Sequence, residues 1–139
     1  MAIFHEILPY CSENETGVII RGALAVGILT GKLDIVSRFQ KGDFRRKSLE
    51  SEEENKIFQQ DLAKVEQLKT LARDRMLAQL ALQFTIEQPA VTTVISGIKN
   101  EDQLKDNLSA AVRSKLTEDE MAAIDEVTPS GGGRKIWPA

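Results

Sequence analysis

Thr93-Val94-Ile95-Ser96-Gly97-Ile98-Lys99-Asn100-Glu101-Asp102-Gln103-Leu104-Lys105-Asp106-Asn107 reads as a strand, a loop and a helix in direct succession. The β-branched run Thr92 to Ile95 favours an extended chain and stops at Gly97. Asn100 with Gln103 three residues later has the pattern of a capping box, which opens a helix over Glu101 to Val112. A helix that starts just beyond a strand end offers free N–H groups and the positive end of its dipole. With Lys99 beside it and no Cβ at Gly97, this corner suits an anion such as a phosphate.

Reading outward, Val18-Ile19-Ile20 is a compact apolar run, expected to be a strand buried on both faces. Gly22 to Lys32 comes next, a glycine-rich stretch expected to be a loop that can include one helical turn. Residues 34 to 50 are polar, basic and without period, and read as a long surface loop. From Ser51 a helix is expected, led by Glu52, Glu53 and Glu54, with Phe58, Leu62, Val65, Leu68 and Leu71 on its inner face. A second helix runs from Leu77 to Glu87 and stops before Pro89. Thr117 with Glu120 repeats the capping pattern and opens Glu118 to Val127. Residues 3 to 12 read as a short leading helix, and residues 130–139 as a loose tail on a single domain of residues 1–139.

Two apolar strands, about 18–21 and 92–96, separated by helices imply parallel βα units in an α/β fold. Two strands are too few to close a barrel. In such folds ligands collect at the carboxyl ends of strands, where Arg21-Gly22 and Ser96-Gly97 stand. Phosphate binding by both loops and plain turn glycines are the two readings the residues themselves allow. A P-loop is excluded, because only three residues separate Gly27 from Gly31 and Leu33 stands where Ser or Thr belongs.

Composition narrows the chemistry. The 139 residues are 42% hydrophobic and 28% charged, ordinary for a globular chain, and the net charge of -3 gives no reason to expect nucleic acid. Between Arg21 and Lys47, however, seven basic residues face two aspartates, leaving +5 there and -8 elsewhere. This basic segment is either an anion-facing surface or a solvated loop. Cys11 and His5 are the only residues of their kinds, which removes intrachain disulfides, cysteine metal clusters and histidine triads. No apolar run reaches the roughly 20 residues of a membrane span, so a cytoplasmic location without membrane partners is expected. Tyr10, beside Pro9, reads as a partly buried packing residue, and the acidic run Glu50 to Glu54 as a solvated helix start. Trp137 lies in the tail.

Residues 92 to 107 resemble the last strand–loop–helix of the aldo-keto reductases, whose bacterial members read close to T-x-I-P-G-x-x-x-x-x-Q-L-x-x-N. Gly17-Val-Ile-Ile-Arg-Gly-Ala-Leu-Ala-Val-Gly-Ile-Leu-Thr-Gly-Lys32 resembles the family's seventh strand with its P-L-x-x-G-x-L-T-G-K loop. Ala78 to Phe84 with Pro89-Ala-Val91 resembles the helix before the last strand. Asn107 to Ala111 and Leu116-Thr117 match the family's segment beyond that strand and loop. The resemblance covers nearly the whole chain. It implies the carboxy-terminal portion of a (β/α)8 barrel, with two of its parallel strands, from an NADP-dependent reductase lineage.

By that resemblance, Arg21, Gly22, Ala23, Leu24, Gly27 and Lys32 would line a dinucleotide's pyrophosphate. Gly97, Ile98, Lys99, Gln103, Asp106 and Asn107 would hold its adenosine and 2′-phosphate. Ser96 and Gly22-Ala23 replace the family's usual prolines, which should loosen both loops. The family's catalytic Asp-Tyr-Lys-His tetrad belongs to earlier strands, and no position here matches it. The expectation is therefore weak or no NADP binding and no reductase activity in the isolated chain. The alternative expectation is a non-catalytic module that oligomerises or complements another barrel fragment.

Overall fold

The computed structural model describes residues 3–129. Trp137 and the remainder of the expected tail lie outside the described residues. A π-helical turn, Ile3–Ile7, leads into α1 (Leu8–Glu13), and then into β1 (Val18–Arg21). The connection to the second strand carries two 3-10 segments, Ala25–Thr30 and Phe44–Leu49, followed by α2 (Glu52–Ala72) and α3 (Leu77–Ile86). It ends in β2 (Val91–Ile95), and α4 (Glu101–Val112) and α5 (Glu118–Val127) complete the order.

β1 and β2 pair in parallel, with Ile19 opposite Thr93, Ile20 opposite Val94 and Arg21 opposite Ile95. A helical crossover is the connection that parallel pairing requires. The second strand lies one residue earlier than 92–96, because Ser96 turns away to accept a hydrogen bond through its hydroxyl. The first strand is not buried on both faces: Ile19 is 64% exposed and Ile95 is 61% exposed. Among the described residues neither strand has a second neighbour, and nothing covers the sheet face that carries these two side chains.

The core lies instead among the helices. Phe58, Leu62, Val65, Leu68 and Ala72 recur every three to four residues along α2 and meet Leu77 and Leu80 of α3, Ile124 of α5, Leu116 and Ile28. Ala72 rather than Leu71 completes the inner stripe, and Leu71 is only half-buried against it. Ser51 starts α2 by accepting a hydrogen bond from the Glu54 N–H at 3.2 Å. The three glutamates of the first turn stay exposed, as a solvated helix start should. Gly22 to Lys32 is more ordered than a loop, because the 3-10 segment turns Ile28 into the core. At Gly31 φ is +69° and a Cβ would lie 3.0 Å from the flexible Lys69 side chain, so any other residue there would be strained.

Two buried glutamines of α3 fasten the last two helices. Gln79 accepts from the Met76 N–H at 3.0 Å and donates to the Ser109 hydroxyl at 2.7 Å. Gln83 donates to the Ser114 carbonyl at 2.6 Å, while Glu87 accepts from the Leu116 N–H at 3.0 Å. These bonds satisfy the Gln79 amide and Gln83 Nε2, which would be costly to bury unpaired, while the buried Gln83 Oε1 has no partner among the described residues. They set the position of α4 and of the turn into α5.

Candidate nucleotide-binding site

Parallel pairing brings the carboxyl ends of β1 and β2 together, so the loops after Arg21 and Ile95 leave the sheet side by side. The first loop doubles back tightly. Gly22 has φ +77°, and Ala25, Val26 and Gly27 have φ of +46°, +53° and +99°. For a β-branched valine this left-handed backbone is strained. The turn is held by internal bonds: the Ala25 N–H donates to the Gly22 carbonyl at 2.8 Å, and the Gly27 N–H to the Leu24 carbonyl at 2.9 Å. Those two N–H groups are therefore already engaged.

The second loop is fastened by α4. Gln103 accepts from the Lys99 N–H at 2.9 Å, Asn100 accepts from the Gln103 N–H at 2.9 Å, and Asn107 donates to the Ser96 hydroxyl at 3.1 Å. Asn100 is thus a true N-cap. The reciprocal half of a capping box is missing, because Gln103 caps Lys99 instead of Asn100. Gln103 and Asn107 do share one face, as their helical spacing requires, and both point back at the loop. Around Gly97 the space is open: a Cβ there would meet nothing within 4 Å. Ile98 is 45% exposed and borders an open apolar groove formed with Leu82, Ile86, Val94, Leu104 and Leu108.

A third segment packs against the first loop. Arg45 forms a double contact with Asp43, at 2.6 Å from Nη2 and 3.0 Å from Nε, and lies 4.7 Å over the Phe39 ring. Its Nη1 also reaches the Val26 carbonyl at 3.5 Å, and it flanks Gly27. The hydrogen bonds from Arg45 hold the Asp43 carboxyl down to about 2, with Lys99 adding to the pull. Sequence reasoning does not single out Asp43 and Arg45. Their one signal there is the basic segment itself, with seven cations between Arg21 and Lys47.

The acid titration of this cluster has a definite sign. A carboxyl depressed from its ordinary 3.8 to about 2 stabilises the folded chain above pH 3.8, and that contribution is lost as pH falls through about 2. A carboxyl-carbon NMR titration should give Asp43 a midpoint near 2 that returns toward 3.8 in Arg45→Ala. An unchanged midpoint in that variant would show that the ion pair is not the cause.

The other expected site residues divide. Arg21, Gly22, Ala23, Leu24 and Gly27 lie at the strand end or in the turn after it. Lys32 is exposed beyond Gly31, which abuts Leu77 and Lys69 in the helical layer. Asp106 is exposed, and its carbonyl accepts from the Ser109 hydroxyl. Tyr10 is not a packing residue: it is 64% exposed, on the side of α1 away from the buried Leu8. His5 is also exposed. Among the described residues no three His, Cys, Asp or Glu side chains gather where a metal ion could be held. No helix of the described residues is long and apolar enough to cross a membrane.

This architecture, a parallel βα pair with an anion-suited corner at its carboxyl end, is that of a (β/α)-barrel segment. The sequence model of the Aldo/keto reductase family matches residues 2–129, and the chain belongs to that family. It is 32% identical over 124 residues to the Uncharacterized oxidoreductase YqkF of Bacillus subtilis, covering 88% of this chain and 38% of that protein. It is 28% identical over 143 residues to the aldo-keto reductase yakc [NADP(+)] of Schizosaccharomyces pombe, covering 94% of this chain and 41% of that one.

Among solved structures, the glycerol dehydrogenase AKR11B4 of Gluconobacter oxydans superposes with a TM-score of 0.77. It is 24% identical, over 99% of this chain and 42% of that one. The holo form of aldo-keto reductase AKR11C1 from Bacillus halodurans gives a TM-score of 0.62 at 27% identity, over 88% of this chain and 37% of that one. The fold is a partial (β/α)8 barrel, and the chain spans about two-fifths of the length of the relatives it matches.

Proposed function

We propose that these residues form the adenosine and pyrophosphate end of an NADP-dependent aldo-keto reductase, and that the chain by itself reduces no carbonyl. The observation that carries this reading is the parallel register, which sets the Gly22–Gly27 turn beside the Ser96–Lys99 loop. The residues fit a dinucleotide in three respects. Gly97 is open to close approach, Lys99 supplies charge, and α4 directs its N-terminus at the same space. The relative from Schizosaccharomyces pombe carries NADP(+) in its name.

Arg21, Gly22, Ala23, Leu24 and Gly27 would face the pyrophosphate. Lys99, Gln103, Asp106 and Asn107, with Gly97 and Ile98, would hold the adenosine and its 2′-phosphate, and Lys32 would contribute at longer range. A bound nicotinamide cofactor supplies hydride. The chain's own part is to bind and orient it. Two features weaken that grip: Gln103 already occupies the Lys99 N–H, and Glu101 and Asp102 place negative charge on the first turn of α4. The single cysteine fits a reducing, cytoplasmic setting.

Calorimetric titration with NADPH and with adenosine-2′,5′-bisphosphate tests the reading. We expect millimolar affinity that falls with salt and drops at least tenfold in Lys99→Glu. No heat from either ligand at millimolar concentration would remove the proposal.

A second reading rests on a separate observation: among the described residues the sheet has only two strands, and Ile19 and Ile95 on it are exposed. Edges of this kind template pairing with another chain. On this reading the chain is a docking module, for copies of itself or for a fragment that supplies further βα units.

A further inference from the structure

We infer that Arg45 is the positioning residue of the glycine turn: its guanidinium holds Ala25-Val26-Gly27 in the left-handed backbone that gives the turn its shape. This rests on the nucleotide-binding reading only in giving the turn a ligand. The hold itself is a property of the free chain.

The turn needs a hold. Ala25 and Val26 have φ of +46° and +53°, a region in which their Cβ atoms crowd the backbone. Each is disfavoured there on the order of tenfold. Bonds inside the turn offset part of this. The Ala25 N–H donates to Gly22, the Gly27 N–H donates to Leu24, and the Thr30 hydroxyl donates to the Gly27 carbonyl at 2.6 Å. These three link residues three positions apart, so they tie the turn to itself. The side chains of Ala25, Val26 and Leu29 rest on the helical core and set where the turn lies. Side-chain packing alone leaves the direction of the Val26–Gly27 peptide open, because its carbonyl can turn without moving them far.

Arg45 meets that peptide from 19 positions along the chain. Its Nε and Nη2 engage the two Asp43 oxygens, at 3.0 and 2.6 Å, which fixes the plane of the guanidinium. The third nitrogen, Nη1, then faces the turn. It stands 3.5 Å from the Val26 carbonyl and 3.4 Å from where a Cβ on Gly27 would be. At that length the contact is a cation seated against a peptide dipole more than a tight hydrogen bond. The Arg45 side chain is 27% exposed, so water screens this attraction only in part. Behind it lies the Phe39 ring at 4.7 Å, and Phe39 packs on the buried Phe58. The position of α2 is thus passed through Phe39 and Arg45 to the turn.

NMR on the ligand-free full chain provides the test. A residue at positive φ gives an intense NOE between its own amide and α protons, because the two lie close together there. Arg45→Ala should lose this cross-peak at Val26 and speed amide exchange at Gly27 about tenfold more than within α2. Should that variant not fold, Arg45→Met keeps an apolar stem on Phe39 and carries the same readouts. Adding Ala25→Gly removes one methyl and relieves the left-handed strain, so it should restore both signals. A cross-peak and protection that persist without the Arg45 guanidinium, or a loss that Ala25→Gly does not relieve, would overturn the inference. Calorimetry with NADPH separates it from the reading it rests on. Arg45→Ala should lower the affinity about threefold or more, and Ala25→Gly should return most of it although no cation is replaced. A loss of affinity that Ala25→Gly leaves in place would mean that Arg45 meets the phosphates itself, and would overturn the positioning role. A native chain that binds no NADPH would remove the nucleotide reading alone, and the ligand-free spectra would still decide for or against Arg45.

Discussion

Phe58→Ala should cost the chain about 3–5 kcal/mol and abolish most of its cooperative unfolding. Phe58 is 2% exposed and stands on the inner stripe of α2, where that helix meets the rest of the helical core. Its ring packs edge-to-face on Phe39, with centroids 6.3 Å apart and planes at 74°. Deleting it opens a cavity that the surrounding helices, held by their other contacts, cannot close. Domains of this size are stable by only ~5–15 kcal/mol, so the variant keeps little.

The damage should also reach the candidate site, because Phe39 carries Arg45 on its other contact, 4.7 Å away. Urea unfolding followed by circular dichroism gives the loss, and Phe58→Leu should recover most of it, costing about 1–2 kcal/mol. A loss below ~1 kcal/mol in the alanine variant would mean that the helical core is looser than its burial indicates.

Arg75→Ala should cost about 2–4 kcal/mol, because it leaves the Glu120 carboxylate, where water barely reaches, with only the Thr117 N–H and the more distant, exposed Arg73 at 3.8 Å. Glu120 is 9% exposed; it accepts from Arg75 Nη1 at 2.8 Å and from the Thr117 N–H at 2.8 Å. Thr117 returns the bond by accepting from the Glu120 N–H at 3.1 Å, so one carboxylate both caps α5 and locks it to the α2–α3 turn. The Thr117 N–H first, and Arg75 second, hold the Glu120 carboxyl below its ordinary 4.5.

A depressed carboxyl contributes stability above its ordinary value, and that contribution is lost as pH falls through the folded value. The acid limb of the stability profile should therefore be shallower in Arg75→Ala than in the native chain. Glu120→Gln combined with Arg75→Met should cost less than Arg75→Ala alone, since no buried charge is left unpaired. If the double variant proves the weaker of the two, the penalty comes from packing and not from charge.

The helices are legible in the sequence because their signals are local. Asn100 and Thr117 each cap a helix through a bond to the residue three positions on, and α4 and α5 run over the expected Glu101–Val112 and Glu118–Val127. Ser51 starts α2 in the same way, although in the sequence only the glutamates after it mark that helix start. The strand pair is legible to within one residue from its β-branched runs.

The fastenings are not. Gln79 and Gln83 look like surface residues in a helix that buries leucines, and their partners Ser109 and Ser114 lie 30 and 31 positions away. Arg75 and Glu120 are 45 positions apart. Nothing in a local pattern ties such residues together. The capping role of Gln103 is half legible: its spacing from Asn100 is right, but its side chain takes the Lys99 N–H, one residue earlier.

Order along the chain is thus enough for the helices, the parallel strands, the anion-suited corner at Gly97 to Asn100 and the family resemblance. All of these rest on residues a few positions apart or on wording shared with relatives. That the core is helical and that Ile19 and Ile95 of the sheet stand exposed among the described residues is visible only in three dimensions. Burial depends on which neighbours are present, and the chain spans about two-fifths of its relatives. The same holds for Arg45 and its partner Asp43, which the folded chain sets beside the glycine turn. That placement depends on Phe58 holding Phe39, a contact between residues that no helical or strand period connects.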